Sequence, residues 1–386
     1  DDLLGGAMEQ CRYDAQAVER AACFARERLS PLAAALDEEN RPPAELLDEM
    51  RQAGFFGMRY PKVWGGGQLG ATTSYLATAE LAKASAGAAL LLLVHWMAVD
   101  AILEFGSEEQ KALWLPDLIQ GKKIAAFTIS EAQAGSDAAG IATTAVHAPG
   151  GYRLNGSKYF CTNGGLAQLY LIAAKTDPDA GSRGISLFAV EKETAGFFIS
   201  PPLNKLGCRS SSTTALSFQD CFVPESARIG PENGGFKAAM YGLVGGRLGM
   251  AAMGLGIAEA AMEASLSYAN RRKAFGAPLA RISAVQSMAA EMHVKVEAVR
   301  HMLTAVTEKQ DSGADFSLDT SALKVFTAEA VTEVCHKALQ ICGGHGYIKG
   351  NPTERYYRDG RLMDIGVGST EVLKQVVGST VLKHYQ

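Results

Sequence analysis

The chain has 386 residues, of which 47% are hydrophobic and 20% are charged, a composition typical of a globular protein with a large buried core. Its net charge of -4, from 37 basic and 41 acidic residues, argues against nucleic acid as the main partner, because nucleic-acid binders usually present a basic face. The longest strongly apolar run, residues 88–94, is far shorter than the roughly 20 residues that span a bilayer. No secretory signal is visible at the N-terminus. Disordered, collagen-like, membrane-spanning and small secreted proteins are thereby excluded.

The cysteines indicate a reducing compartment. None of the seven forms a CxxC pair, and none has a histidine at zinc-finger spacing, so neither a disulfide framework nor a metal site is predicted. We therefore expect the cytoplasm, with an organelle matrix as the alternative. The cysteines are Cys11, Cys23, Cys161, Cys208, Cys221, Cys335 and Cys342.

The first third of the chain predicts helices, because its apolar residues recur at helical spacing. The stretch 88–105 is apolar nearly all round, which is typical of a helix buried inside a protein. The middle third instead contains short β-rich runs separated by turns. The helices are predicted at 22–36, 46–53, 73–85 and 88–105, and the strands at 124–129, 169–173, 185–190 and 215–218.

Long helices return after residue 235, at 238–271, 282–311, 321–341 and 370–384. A helical block, a β block and a second helical block in one chain indicate an α+β fold with segregated layers rather than alternating βαβ units. We expect three domains: an N-terminal all-α domain over 1–121, a middle β domain over 122–236 and a C-terminal helical domain over 237–386.

Two glycine-rich segments are candidate binding loops. Residues 65–70 satisfy G-x-G-x-x-G, but no buried strand precedes them and no acidic residue follows at the required distance, so a loop between helices is favoured over a dinucleotide site. Residues 343–346 close a predicted helix with three glycines in four positions. They either cap that helix or expose backbone to a flat or anionic ligand.

Five segments, in order along the chain, resemble the signatures of the acyl-CoA dehydrogenase family. They are 127–137 (FTISEAQAGSD), 155–164 (NGSKYFCTNG), 272–276 (RKAFG) with Gln286, 340–347 (QICGGHGY), and Arg358-Asp359 followed by 368–371 (GSTE). The resemblance runs over essentially the whole chain. It implies an N-terminal helical domain, a central β-barrel-like domain and a C-terminal four-helix bundle, assembled as a homotetramer. It also implies an acyl-CoA or acyl-carrier-protein thioester as substrate and an electron-transferring flavoprotein as redox partner.

The same resemblance implies one FAD per subunit. Phe127, Ser130, Phe160 and Thr162 would contact the flavin ring, with the Thr162 hydroxyl and amides near Ser130 donating to its edge. Phe160 stands where the family usually has tryptophan and Ser130 where it has threonine, and both replacements keep the aromatic face or the hydroxyl. The remaining expected cofactor residues are Ser136, Arg272, Phe275, Gln286, Gln340, Gly343, Gly344, Ser369 and Glu371, of which Arg272 and Phe275 would reach the FAD of a neighbouring subunit.

The catalytic base of the family is missing. The family reaction removes an α-proton from the thioester while a hydride leaves the β-carbon, so a carboxylate must face the α-carbon. Most members carry that glutamate before the last helix, where this chain has Val367, and a minority carry it just before an arginine, where this chain has Gly246. Neither residue can accept a proton. The substrate-binding residues implied by the resemblance are Ser136, Arg247, Val367 and Gly368.

Asp100 and His95 are the candidate replacements for the base, because both lie in the otherwise apolar stretch 88–105 that borders the acyl pocket in the family. A carboxylate in such surroundings is expected to have a raised pKa and to act as a base. The alternative is that Asp100 is a helix-end residue bound to an adjacent loop. Asp364 is a weaker candidate.

Three functions follow from these observations. The first is an FAD-dependent acyl-thioester dehydrogenase or oxidoreductase with a non-standard base, acting on a cyclic or otherwise unusual acyl group. The second is an elimination, desulfination or decarboxylation of an acyl-CoA without net dehydrogenation. The third is a non-catalytic subunit of a mixed tetramer, against which the intact FAD signatures argue.

Overall fold

The computed structural model describes residues 13–385, so Cys11 and the first twelve residues of the expected N-terminal domain lie outside the described part. Eleven α-helices are found there. They are α1 (Ala15–Phe24), α2 (Ala33–Glu38), α3 (Leu47–Gln52), α4 (Ala71–Ala84), α5 (Ala86–Phe105), α6 (Glu108–Ile119), α7 (Gly235–Arg271), α8 (Ser283–Asp311), α9 (Ser317–Cys342), α10 (Pro352–Gly360) and α11 (Thr370–Lys383).

Helix α5 forms the centre of the N-terminal helical layer. It begins where the Ser85 side chain accepts a hydrogen bond from the Ala88 amide, and it ends before Gly106. Its length and its mean hydropathy of 1.9 match a bilayer-spanning helix, but 89% of that stretch is buried inside the protein. Burial on all sides explains why its sequence is apolar nearly all round.

The middle of the chain folds into an eight-stranded sheet. The strands are β1 (Ala125–Thr128), β2 (Thr144–Ala148), β3 (Gly151–Thr162), β4 (Leu169–Lys175), β5 (Ile185–Glu191), β6 (Phe197–Ile199), β7 (Thr213–Pro224) and β8 (Arg228–Ile229). Seven of them follow the order β6-β7-β3-β2-β4-β5-β8, and β1 pairs parallel to β4. A short hairpin of β9 (Lys273–Ala274) and β10 (Ala277–Pro278) follows α7.

Glycines on α7 allow this long helix to lie close against α5. A Cβ atom built on Gly242 would be 3.1 Å from the Met97 carbonyl oxygen, closer than most real Cβ contacts. The same crowding recurs at Gly249, where the added atom would overlap Leu93. The two helices therefore meet nearly backbone to backbone, and this contact joins the C-terminal helices to the N-terminal layer.

The predicted fold class is confirmed: a helical domain, a sheet domain and a second helical domain follow each other along the chain. Most of the predicted helices and strands correspond to observed elements, but the predicted helix 22–36 is wrong, because the chain there passes from α1 (Ala15–Phe24) into the separate helix α2 (Ala33–Glu38). The sequence patterns missed the helices α6 and α10, the long strand β3 and the short strands β2, β6, β8, β9 and β10. The domain boundaries stay predictions; the structure changes from helix to sheet between α6 and β1 and back between β8 and α7.

Candidate active site

Gly246 and Val367, the two positions at which the family resemblance implies a catalytic glutamate, lie against each other. Gly246 belongs to α7, and Val367 to the loop before α11. A Cβ atom built on Gly246 would be 2.9 Å from Val367 Cγ1 and 2.7 Å from the sulfur of Met97 on α5. The space next to Gly246 is therefore filled by the side chains of Val367 and Met97. Neither Gly246 nor Val367 has a group that accepts a proton.

Val367 has an unusual backbone conformation for its residue type. Its φ angle is +55°, in the left-handed region that β-branched residues rarely adopt. Such conformations cost about 1–3 kcal/mol each and are concentrated at functional sites. The loop thus keeps a strained backbone at the position where the family places its base.

Asp100 belongs to a buried polar cluster formed with the loop after α3. Its carboxylate is ion-paired with Arg59 and lies 3.0 Å from the hydroxyl of Tyr60, which donates to Oδ1. Arg59 also donates to the Tyr75 hydroxyl, with Nη1 to Oη at 2.6 Å. A Cβ atom built on Gly245 would be 2.9 Å from Asp100 Oδ2, so the cluster lies beside the helix position that precedes Gly246.

The electrostatics of this cluster are those of a stable ion pair. Burial alone would lower the pKa of Arg59, but the Asp100 carboxylate outweighs burial and raises it. Burial raises the pKa of Tyr75 to about 12, so both tyrosine and arginine keep their protons at neutral pH. Asp100 lies inside α5 rather than at its end, but it is bound to an adjacent loop, as the alternative considered above expects. Its place beside Gly245 nevertheless keeps it at the candidate active site.

His95 is held by backbone groups on both sides of its ring. Its Nδ1 accepts a hydrogen bond from the Ala125 amide at 3.0 Å, and its Nε2 lies 3.1 Å from the Leu118 carbonyl oxygen. The side chain is fully buried, and burial lowers the pKa of His95 to about 4. His95 is therefore neutral with neither nitrogen free, and this geometry corrects the expectation that it is a candidate base. It joins α5 to α6 and to the first strand.

Arg247 and Gly368 lie on the C-terminal side of the same site. A Cβ atom built on Gly368 would be 4.0 Å from Arg247 Nε. Lys324 of α9, a buried residue, donates from Nζ to the Gly368 carbonyl oxygen at 2.6 Å. Ser136, also expected to bind substrate, is exposed in the loop after β1. The weaker base candidate Asp364 accepts hydrogen bonds from the hydroxyls of Thr332 on α9 and Thr370 on α11.

A bulge in β3 presents the expected flavin-contacting residues. The register between β3 and β7 shifts between Lys158 and Cys161, and Phe160 inside this bulge has a φ of +61° and an exposed ring. Bulges commonly re-aim a side chain next to an active site. Thr162 follows at the end of the strand, half-buried. Phe127, buried on β1, is the ring that a Cβ atom on Gly242 would approach to 3.5 Å.

A buried ion pair holds the loop that carries Ser130. Lys158 donates from Nζ to Glu131 Oε1 at 2.7 Å and to the Ile129 carbonyl oxygen at 3.1 Å. Glu131 also accepts from the Thr143 hydroxyl at 2.6 Å. The carboxylate is satisfied on several sides, so the pair fixes the loop after β1 against β3.

The residues expected at the adenine end of FAD are exposed. Phe275 lies in the hairpin after α7 with 98% of its surface exposed, and Arg272 precedes it. Cβ atoms built on Gly343 and Gly344 would meet no atom within 4 Å, which leaves their backbone open to a flat ligand. Gln340 and Gln286 are exposed as well, whereas Ser369 caps α11 through its hydroxyl and Glu371 lies in the first turn of that helix. An open glycine backbone, an exposed aromatic ring and an unpaired arginine side chain fit a dinucleotide.

Three residues of the site were missed by sequence reasoning. Arg59 is separated from Asp100 by 41 residues, and no pattern relates the two. Met97 reads as one more apolar residue of α5, and Lys324 as a surface lysine of a long helix. For Arg59, the only signal in the sequence was a single arginine directly before Tyr60 and Pro61.

Comparison with known proteins identifies the family. Three family profiles match in succession: the N-terminal domain of acyl-CoA dehydrogenase over residues 14–122, the middle domain over 126–221 and the C-terminal domain over 233–382. An acyl-CoA dehydrogenase of Bacillus subtilis is 38% identical over 360 residues, covering 93% of this chain and 95% of that protein.

Solved structures agree with this match. The structure of butyryl-CoA dehydrogenase from Megasphaera elsdenii has a TM-score of 0.93 and 36% identity, covering 95% of this chain and 97% of that one. The structure of PigA with FAD and proline has a TM-score of 0.90 and 29% identity, covering 99% of each chain. The chain therefore belongs to the acyl-CoA dehydrogenase family of FAD-dependent oxidoreductases.

Proposed function

We propose that the chain oxidises or reduces an acyl thioester with a proton acceptor other than the glutamate usual in its family. The observation that carries this proposal is the contact between Gly246 and Val367, because both usual base positions converge on one point that holds only apolar atoms. FAD, when bound, supplies the hydride-accepting chemistry. The residues of this chain bind and orient the thioester, exclude water and move the proton.

Asp100 is the proposed proton acceptor. It is a carboxylate on α5 that lies beside Gly245 of α7. Because glycine has no side chain, nothing at that position separates the carboxylate from α7. Its partners Arg59 and Tyr60 hold the carboxylate in a fixed orientation. Asp100 lies beside Gly245, one residue before the position implied for the family's glutamate. We therefore expect it to accept a proton from a different carbon of the acyl group, as in a cyclic or already unsaturated substrate.

The replacement Asp100→Asn tests this role. Asparagine keeps the shape and can still accept from Tyr60 but cannot take a proton. Anaerobic bleaching of the bound flavin is measured across a panel of straight-chain and cyclic acyl-CoAs, and the rate with the best substrate should fall by at least about 10²-fold. Glu104→Gln, which removes an exposed acid one turn later on the same helix, is the matched control and should bleach at the wild-type rate. An Asp100→Asn protein that bleaches as fast as this control assigns Asp100 a purely structural role.

FAD binding is proposed to need a second copy of the chain. Phe127, Phe160 and Thr162 would face the flavin ring, whereas the exposed Arg272 and Phe275 would reach the pyrophosphate and adenine of a neighbouring subunit. We accordingly propose a homotetramer that passes electrons to an electron-transferring flavoprotein. Exposure of nearly the whole Phe275 ring in the single chain supports this, because large apolar side chains exposed in a monomer commonly mark an interface.

Replacement of Arg272 by alanine tests the shared cofactor site. A lost charge-assisted hydrogen bond to phosphate is worth about 1.5–3 kcal/mol, so the Arg272→Ala protein should retain less FAD after gel filtration. Sedimentation of the wild type should give a yellow tetramer with about one FAD per subunit. A colourless wild type that stays colourless after incubation with FAD contradicts the proposal, and a yellow homotetramer that turns over a thioester excludes the non-catalytic subunit.

A further inference from the structure

Arg247 is a half-buried cation without a carboxylate partner among the described residues. Among residues 13–385 no acidic side chain lies within ion-pair distance of its guanidinium, and its only side-chain hydrogen bond is a long one from Nη1 to the Ser321 hydroxyl at 3.4 Å. Its Nε is fully buried and has no acceptor. Burial lowers the pKa of Arg247, and no neighbouring acid opposes this effect. An arginine left in this state is costly unless an anion reaches it.

This unpaired charge lies beside the positions at which the family resemblance implies a catalytic glutamate. Arg247 directly follows Gly246 on α7, and its Nε is 4.0 Å from the position of a Cβ atom on Gly368, the residue after Val367. The loop that lacks the family's glutamate therefore lies against an arginine that lacks an acid.

A second cation, Lys324, is fully buried and faces the same loop. Lys324 donates to the Gly368 carbonyl oxygen, and burial lowers the pKa of Lys324 to about 8. The acids nearest to it are otherwise occupied or peripheral: Asp364 is ion-paired with Arg361, and Glu371 is exposed on the first turn of α11. The charges that face the loop are thus positive on balance.

We infer that the acyl group of the substrate carries its own negative charge, a carboxylate or a comparable oxyanion, which binds Arg247. The inference rests on the proposed function, because it names the substrate class of that thioester site. The Arg59–Asp100 pair does not compete for the anion, since each of its charges is already neutralised by the other. The planar guanidinium suits a carboxylate, which it can bind through two parallel hydrogen bonds.

The test compares thioesters that differ only in that charge. Succinyl-CoA is compared with butyryl-CoA, and glutaryl-CoA with pentanoyl-CoA, by titration calorimetry of the purified FAD-loaded protein under anaerobic conditions. A charge-assisted hydrogen bond predicts that the carboxylated member of at least one pair binds about 10–100-fold more tightly. Equal binding within both pairs overturns the inference and leaves the proposed function standing, whereas no binding of any thioester contradicts the proposed function itself.

Two variants locate the effect. Arg247→Met should remove the preference for the carboxylated thioester, so that the two members of each pair bind about equally. Should that protein fail to fold, Val367→Glu tests the same assignment with the arginine in place. The new carboxylate would pair with Arg247, so the preference for the carboxylated thioester should be lost. A preference that survives in Val367→Glu overturns the assignment to Arg247. Arg153→Met, which removes an exposed arginine of β3, is the control and should bind as the wild type does.

Discussion

Replacement of Val367 by glutamate should restore ordinary acyl-CoA dehydrogenation. The side chain at this position already points at the space beside Gly246, since Val367 Cγ1 would be 2.9 Å from a Cβ atom there. Glutamate places its Cγ at the same distance from the backbone and extends the carboxylate beyond it. Because glutamate has no branch at Cβ, it also tolerates the φ of +55° better than valine does.

The size of the gain follows from the chemistry that the new residue supplies. A positioned general base contributes typically about 10²–10⁴-fold, so flavin bleaching by butyryl-CoA should be slow in the wild type and faster by that factor in Val367→Glu. Arg247, which has no acid within ion-pair distance in the described part of the chain, would help keep the new carboxylate ionised at neutral pH.

The assay is anaerobic stopped-flow reduction of bound flavin by butyryl-CoA, with Val367→Gln as the control for shape. Glutamine has the same length and no basicity, so it should remain as slow as the wild type. Equal rates for Val367→Glu and Val367→Gln, or rapid bleaching by the wild type, would refute the assignment of Val367 to the base position.

Three further outcomes are expected. Gly246→Glu should not rescue butyryl-CoA oxidation and should lower the melting temperature, because its Cβ would press on the sulfur of Met97 at 2.7 Å and overpacking costs about 1–3 kcal/mol. Lys158→Met should destabilise the protein by about 3–5 kcal/mol in urea unfolding, because it leaves Glu131 charged and buried, and a second change of Glu131 to glutamine should recover part of the loss. Burial raises the pKa of Asp359 to about 6, so the native state binds more protons than the unfolded state below that pH, and stability should fall as pH rises from 4 to 6. Asp359→Asn should therefore be more stable than the wild type by up to about 3 kcal/mol at pH 8 and equal to it near pH 3.5, as thermal melts at the two pH values would show.

The sequence predicted the features that depend on a local residue pattern or on a family signature. The apolar stretch predicted a buried helix, and α5 is that helix; the signature around Phe160 and Thr162 predicted flavin contacts, and both lie at the end of the bulged strand β3. The sequence alone also showed that Val367 and Gly246, the positions implied for the base by the family resemblance, carry no group that accepts a proton. That these two positions touch was not, because it depends on a loop and a helix more than a hundred residues apart.

The roles of charged residues were the least predictable. Asp100 was visible as an acid in an apolar run, but its partner Arg59 lies on a loop with no periodic pattern, so the sequence left the choice between a base and a bound helix-end residue open. His95 had the same ambiguity until its two backbone partners were seen. Arg247 followed from the family signature, whereas its unpaired state depends on every side chain that surrounds it.

The position of α5 has a consequence for the synthesis of the protein. This helix has the hydropathy of a membrane span, yet the surface that covers it on one side belongs to α7, which begins at Gly235. At about 5–20 residues per second, roughly 7–26 s pass between the emergence of the end of α5 from the ribosome and that of the start of α7. During this interval the nascent chain exposes a hydrophobic segment that resembles a membrane-spanning helix. We expect ribosome-associated chaperones to bind this segment until α7 has been synthesised.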